Sequence, residues 1–290
     1  MAQQIPVDPA AQVPVPDDPV LEVLADLAYR RLAMVNVALV GQAHAGAGRW
    51  VLVDAGLPGT AGLIQRAAAE RFGRGAAPAA IVLTHGHFDH VGALRTLAEQ
   101  WNVPIYAHPL EHPYLNGSDS YPAPDPLVGG GLMSLAAPLL PRGPIDVTRW
   151  LRALPQDGSV PLLPGWRWLH TPGHAPGHVS LWREADRTLL AGDAFITTAQ
   201  ESAYAVAVQE PELHGPPMYY TPDWELAAGS VRRLAALEPE LVITGHGRAM
   251  HGPAMRQALH RLADNFEQVA VPRHGRYAGH PVQPGRRPGD

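Results

Sequence analysis

Ile81-Val82-Leu83-Thr84-His85-Gly86-His87-Phe88-Asp89-His90 begins as a strand and ends as a cluster of groups that bind metals. Its first three residues are apolar and mostly β-branched, as a buried strand requires. The seven that follow carry three imidazoles and a carboxylate. Gly86 allows a sharp turn, so His85 and His87 can point to one side while Asp89 and His90 reach another, offering ligands to two adjacent cations. Three later positions repeat this placement at the end of an apolar run. They are His174 in Thr171-Pro172-Gly173-His174, Asp193 in Leu190-Ala191-Gly192-Asp193, and His246 in Ile243-Thr244-Gly245-His246. Singly, each is more often a turn residue than a ligand. Together with the first cluster they reverse that balance.

Working outward, short apolar runs alternate with helical patterns. Val35–Val40 and Trp50–Val53 read as paired strands, and Leu63–Phe72 as a helix. Ala79–Leu83 as strand, Gly92–Trp101 as helix and Val103–Ala107 as strand form a β-loop-α-β unit. Residues 109–165 hold Pro122, Pro124, Pro126, Gly129-Gly130-Gly131, Pro138, Pro141 and Pro144, which break every candidate pattern except one at Val147–Leu154, and read as an inserted, partly helical loop region over a face of the domain. Trp166–His170, His178–Trp182 and Thr188–Ala191 are the next strands, followed by a second loop-rich stretch up to Pro222. Asp223 reads as the N-cap of a helix towards Leu237, Leu241–Thr244 as the last strand and Gly252–Val269 as the last helix. Residues 1–20 read as a proline-rich extended tail.

Composition narrows the chemistry. A chain of 290 residues with 46% hydrophobic and 17% charged residues can bury a sizeable core. There is no cysteine, which excludes disulfides, thiolate nucleophiles and Cys-ligated zinc, and leaves 15 His and the carboxylates to hold any metal. All 22 basic residues are Arg, against 27 acidic ones, and no stretch gathers them into a stripe. Nucleic-acid and membrane partners are therefore not expected. Met1–Pro6 lacks the basic region and apolar core of a secretion signal, and no run of about 18 apolar residues suggests a membrane span, so a soluble cytoplasmic protein is expected.

Asp54 in Val51-Leu52-Val53-Asp54-Ala55-Gly56, the His85-Gly86-His87-Phe88-Asp89-His90 motif, His174, Asp193 and His246 together resemble the metallo-β-lactamase superfamily, over roughly residues 30–272. The resemblance implies a four-layer αββα sandwich of the α/β (α+β) class, with metals at the strand ends. The catalytic domain would span residues 21–272, between the tail of residues 1–20 and a C-terminal tail of residues 273–290. The resemblance also implies that His85, His87 and His174 bind one metal, that Asp89, His90 and His246 bind a second, and that Asp193 bridges them. Asp54 would orient ligands from behind, and His178 is left as a structural or supporting residue. The implied cofactors are two divalent ions, zinc first, with manganese, iron or cobalt as alternatives. They would hold a shared hydroxide for attack on a carbonyl carbon, with Asp89 and Asp193 managing the proton.

Departures within the superfamily narrow the activity. β-Lactamases usually carry Cys or Ser where Asp193 stands, flavodiiron proteins carry Glu in place of His87, and acyl-homoserine lactonases carry Tyr three residues after the bridging Asp, where this chain has Ile196. The glyoxalase II, lactonase and arylesterase side is favoured, and the expected reaction is cleavage of a neutral ester, thioester or lactone. The alternative is a mononuclear iron persulfide dioxygenase using His85, His174 and Asp193. Specificity for a small-molecule substrate is expected from His112 and Tyr114 in the insertion and from Tyr204, His214, Met218, Tyr219, Tyr220 and Trp224 after Asp193, whose surfaces suit an acyl or aryl group. The apolar Gly131–Leu140 segment suits either a cover for the site or a homodimer contact.

Overall fold

The computed structural model describes residues 5–13, 20–126, 128, 140–198 and 212–278. Leu21–Leu24 (β1), Leu27–Leu32 (β2), Val35–Val40 (β3), Val51–Val53 (β4), Ala80–Val82 (β5), Ile105–Ala107 (β6) and Leu151–Ala153 (β7) pair in that order into one sheet. Neighbours from β1 to β4 are antiparallel. From β4 to β7 they are parallel. Parallel neighbours need a crossover, and Ala61–Phe72 (α1) and Leu94–Trp101 (α2) supply it on either side of β5.

Trp166–His170 (β8), Val179–Arg183 (β9), Thr188–Gly192 (β10), Leu241–Thr244 (β11) and Met250–His251 (β12) make the second sheet, again in chain order. Its single parallel pair, β10 with β11, is bridged by Trp224–Ala235 (α3). Asp223 caps that helix as expected: its carboxylate accepts from Leu226 N at 2.9 Å. Gly252–Asp264 (α4) follows β12.

Side-chain alternation on the buried strands sets the layers. Along β3, Val35, Val37 and Leu39 share a core with Ile64, Ala67 and Leu94 of the helices, whereas Ala38 and Val40 share one with Leu181, Leu190 and Ile243 of the second sheet. On the far side, Trp182, Leu189 and Val242 pack with Val231, Leu234, Leu259 and Leu262 of α3 and α4. Helices, sheet, sheet and helices result, the expected αββα order. Trp50, just before β4, is 1% exposed and ties both helices to the first sheet. It stacks on Phe72 at 4.4 Å between ring centroids and meets Trp101 edge-on at 5.9 Å. Trp50→Ala is expected to cost about 3–5 kcal/mol, read as a lowered denaturation midpoint.

Four expectations change. Residues 5–13 are not an extended tail outside the core: Ile5–Pro6 pairs with Glu212–Leu213, and Ile5, Val7 and Ala11 are buried against α3 and α4. A two-stranded ribbon tolerates Pro6 because the strand has a free edge. The 109–165 region is more than an inserted loop, since it contributes β7 to the sheet. That strand hides in sequence because it is an edge whose Arg152 and Ala153 are exposed. The last helix divides at Asn265, with Phe266–Val269 as a separate turn. Residues 273–278 fold back on the domain, where the buried Tyr277 donates to Ala123 O at 2.5 Å and Arg276 N donates to Asp125. Apart from Leu140, the Gly131–Leu140 segment lies outside the described residues, as does Tyr204. Among the described residues no helix is long and apolar enough to cross a membrane.

Candidate metal centre

Asp54 follows β4, the Thr84–His90 loop follows β5, His174 follows β8, Asp193 follows β10 and His246 follows β11. His87 is the cap of the short helix Phe88–Val91, so His85 and His87 sit on extended chain while Asp89 and His90 lie in a helical turn. One loop thereby aims its ligand groups in two directions. In three groups the candidate ligand atoms lie within 4.8 Å of one another: His85 with His87 and His174, His85 with His90 and Asp193, and Asp89 with His90 and His246. Asp193 stands between the sets. Its Oδ2 is 3.1 Å from His246 Nε2 and 3.4 Å from His174 Nε2, and its Oδ1 is 3.5 Å from His90 Nε2.

The hydrogen bonds behind these rings assign their protons. Thr84 donates its hydroxyl to Asp54 Oδ2 at 2.8 Å, so its oxygen accepts from His85 Nδ1 at 3.1 Å. Thr221 donates to Pro217 O at 2.8 Å and so accepts from His174 Nδ1 at 3.2 Å. His90 Nδ1 donates to Asp54 Oδ2 at 2.9 Å, and His246 Nδ1 to Met34 O at 2.7 Å. All four rings therefore carry their structural proton on Nδ1 and turn Nε2 inward. Asp54 holds this role in a left-handed backbone, φ 62°, that non-glycine residues seldom adopt.

These residues fit a divalent cation. Among the described residues, the buried His85 Nε2, His90 Nε2 and Asp193 Oδ1 have no hydrogen-bond partner, an expensive arrangement unless another ligand is intended. His87 Nδ1 and His174 Nε2 face each other at 2.9 Å, a nitrogen pair that can share one proton or one cation. Burial pushes His85 and His174 well below the usual imidazole value and His87 down to about 4. It acts the same way on His246 and His90, but there nearby carboxylates, Asp193 foremost, outweigh it, lifting His246 to about 10 and His90 well above its usual value. Burial alone would raise Asp193, yet His246 and His90 hold it well below the usual carboxylate range. Negative charge that retains a proton on an inward nitrogen also attracts a divalent cation there.

Supporting residues complete the frame. His178 Nε2 accepts from Asp193 N at 2.9 Å, and its Nδ1 meets Thr171 Oγ1 at 2.9 Å. Sequence reading missed Asn36, whose side chain crosses from β3 to donate to Thr244 O at 2.9 Å and Gly247 O at 2.7 Å, bracketing His246. A lone amide in an apolar strand was the available signal. Thr84, Glu111, Tyr121 and Thr221 were also missed, and nothing local marks them.

The expected specificity residues scatter. Tyr220 lies at the centre, its ring 4.9 Å from His87 and 6.3 Å from Phe88. Burial, with Asp89 nearby, raises its phenol and keeps it protonated. Tyr114 stacks on Tyr121 at 3.8 Å, and Tyr121 lies 4.3 Å from His87. Tyr219, Met218 and Trp224 belong, as Tyr220 also does, to the α3–α4 core, Trp224 against Phe266 at 6.4 Å, and packing accounts for these three. His214 exchanges backbone bonds with Ile196 and lies 3.2 Å from Glu212. His112 sits at the start of the short helix His112–Leu115, where it bears on His108.

The family model described as the metallo-beta-lactamase superfamily matches residues 30–246. The probable metallo-hydrolase YflN of Bacillus subtilis is 50% identical over 220 residues, covering 76% of this chain and 83% of that protein. The hydroxyacylglutathione hydrolase GloC of Haemophilus influenzae is 32% identical over 115 residues, covering 39% of this chain and 48% of that protein. Among solved structures, TTHA1623 in a di-iron-bound form is similar with a TM-score of 0.51 at 28% identity, covering 77% of this chain and 92% of that one. With strand-end imidazoles and carboxylates converging on one edge of an αββα sandwich, the chain is a metallo-hydrolase of the metallo-β-lactamase superfamily.

Proposed function

We propose that the enzyme is a dinuclear hydrolase of small neutral esters, thioesters or lactones. The observation that carries this reading is the position of Asp193, whose two oxygens face His90 on one side and His174 and His246 on the other. His85, His87 and His174 would hold one divalent ion, and Asp89, His90 and His246 the other, with Asp193 shared. Such a pair, when bound, lowers the pKa of water and polarises a carbonyl oxygen. The chain's own residues orient, exclude and move protons. Asp54, Thr84, Thr221 and the Met34 carbonyl hold the imidazoles in one tautomer. Burial would raise Asp89, but His90 and His246 keep it ionised, so its carboxylate can take up a proton and return it to the leaving group. Phe88 and Tyr220 form an apolar wall suited to an acyl or aryl group.

The GloC similarity supports a hydrolytic reading, and the di-iron-bound neighbour keeps iron beside zinc, manganese and cobalt among the candidate metals. Elemental analysis of protein purified without added metal or chelator tests the proposal. About two ions per chain, with turnover of simple esters, thioesters or lactones, is the expected result. About one iron per chain with persulfide-dependent oxygen uptake would overturn it in favour of a dioxygenase.

A further inference from the structure

We infer that Glu111 is a positioning residue that clamps the His85–His87 loop to the His174–Gly177 loop and so sets the spacing of His87 and His174; the inference rests on the dinuclear reading above. Glu111 closes the turn Pro109–Glu111 after β6 and is fully buried. Its Oε2 accepts from Gly86 N at 2.9 Å, between two candidate ligands, and its Oε1 accepts from Gly177 N at 2.7 Å, three residues beyond a third. Tyr121 donates its hydroxyl to Oε2 and also accepts from Gly86 N at 2.9 Å. One carboxylate thus spans loops that lie far apart in the chain.

The slot is shaped for this side chain. A Cβ at residue 177 would stand 2.8 Å from Glu111 Cγ, and one at residue 86 would stand 2.8 Å from the Tyr121 hydroxyl, so both loops pass close only as glycine. Burying a carboxylate is costly unless donors surround it. Here two of its three donors are backbone N–H groups of ligand loops, and such charge-assisted bonds are short and directional. Between the clamped segments, His87 Nδ1 and His174 Nε2 come within 2.9 Å.

Glu111→Gln tests the clamp. It keeps the volume but replaces one acceptor oxygen with an NH2 that must face a loop N–H, donor against donor. Cobalt(II) is titrated into metal-depleted wild type and variant and followed by visible absorption, with steady-state kinetics alongside. The variant is expected to bind one of the two ions roughly 10- to 100-fold more weakly, with an altered visible spectrum for that ion and kcat reduced more than KM is raised. Superimposable titrations and spectra overturn the inference, and so does a lowered melting temperature without a spectral change, which is what a plain scaffold residue would give. If Glu111→Gln does not fold, Tyr121→Phe, which deletes one acceptor of Gly86 and one donor to Glu111, replaces it: a smaller shift in the same direction supports the clamp, and no shift overturns it. A wild-type stoichiometry other than two defeats the dinuclear reading. The difference between wild type and variant for whichever ion binds still decides the clamp, and wild type that binds no cobalt overturns both.

Discussion

Asp193→Ala is expected to lower kcat/KM on any active ester by about 10³-fold or more, which corresponds to roughly 4 kcal/mol of lost transition-state stabilisation. Among the described residues no other carboxylate faces both proposed ligand sets, with oxygens 3.1 Å from His246, 3.4 Å from His174 and 3.5 Å from His90. Removing it takes away the charge that foremost offsets burial at His90 and His246. Their inward nitrogens then lose much of their attraction for a cation. The fold is expected to survive, because the Asp193 N–H still reaches His178 Nε2 at 2.9 Å and needs no side chain. Metal analysis beside kinetics checks both halves of the expectation. A variant that keeps its full complement of ions and full activity would show that Asp193 is not shared between them.

Gly245→Ala carries the second large effect, and by a steric route. A Cβ at this position would sit 2.0 Å from Asp193 Oδ1 and 2.7 Å from His90 Cε1. Neither is the loose end of a long side chain, since both are buried and tied into the frame. One of them must leave its place, and with it an oxygen or a ring aimed at the centre. The expected result is a loss of about 10²-fold or more in kcat/KM together with release of bound metal, since misplacing catalytic groups by about 1 Å costs on that order. Gly229→Ala is the matched control. It adds the same methyl to the middle of α3, where nothing lies within 4 Å, and is expected to leave metal content and turnover unchanged. Equal behaviour of the two variants in metal content would refute the steric account.

What could be read from sequence divides along the line between local and distant interactions. β3, β8 and β11 were legible to the residue because each is a short run rich in apolar residues and bounded by turn residues, and β3 and β11 are buried along their whole length. β2 was not named because Arg30 and Arg31 interrupt it, although Arg30 is buried in place. The strand character of β7 and the Ile5–Pro6 ribbon escaped because their pairing partners, β6 and Glu212–Leu213, lie 46 and 206–208 residues away. At the centre, the inward-facing imidazoles and carboxylates were legible because they gather in the loops that follow strands, and the ends of neighbouring strands share an edge. The residues behind them were not. Asn36, Glu111 and Thr221 act through partners on other elements, and no spacing rule connects Glu111 to Gly177 or Thr221 to His174. Tyr219 and Trp224 show the converse, since an aromatic residue near a site in sequence has the same composition whether it lines the pocket or fills the core behind it.

Because the two sheets run in chain order, translation delivers the metal-binding groups in instalments. His85, His87, Asp89 and His90 leave the ribosome with the first sheet, whereas Asp193 and His246 come with the second. At about 5–20 residues per second, roughly 8–30 s separate His90 from His246. Until β11 is in place the early loop lacks His246 and the contacts by which Asn36 brackets it, and for the first 103 residues of that interval it lacks Asp193 as well. On the dinuclear reading, complete loading is therefore expected only once β11 docks beside β10, late in the synthesis of the domain.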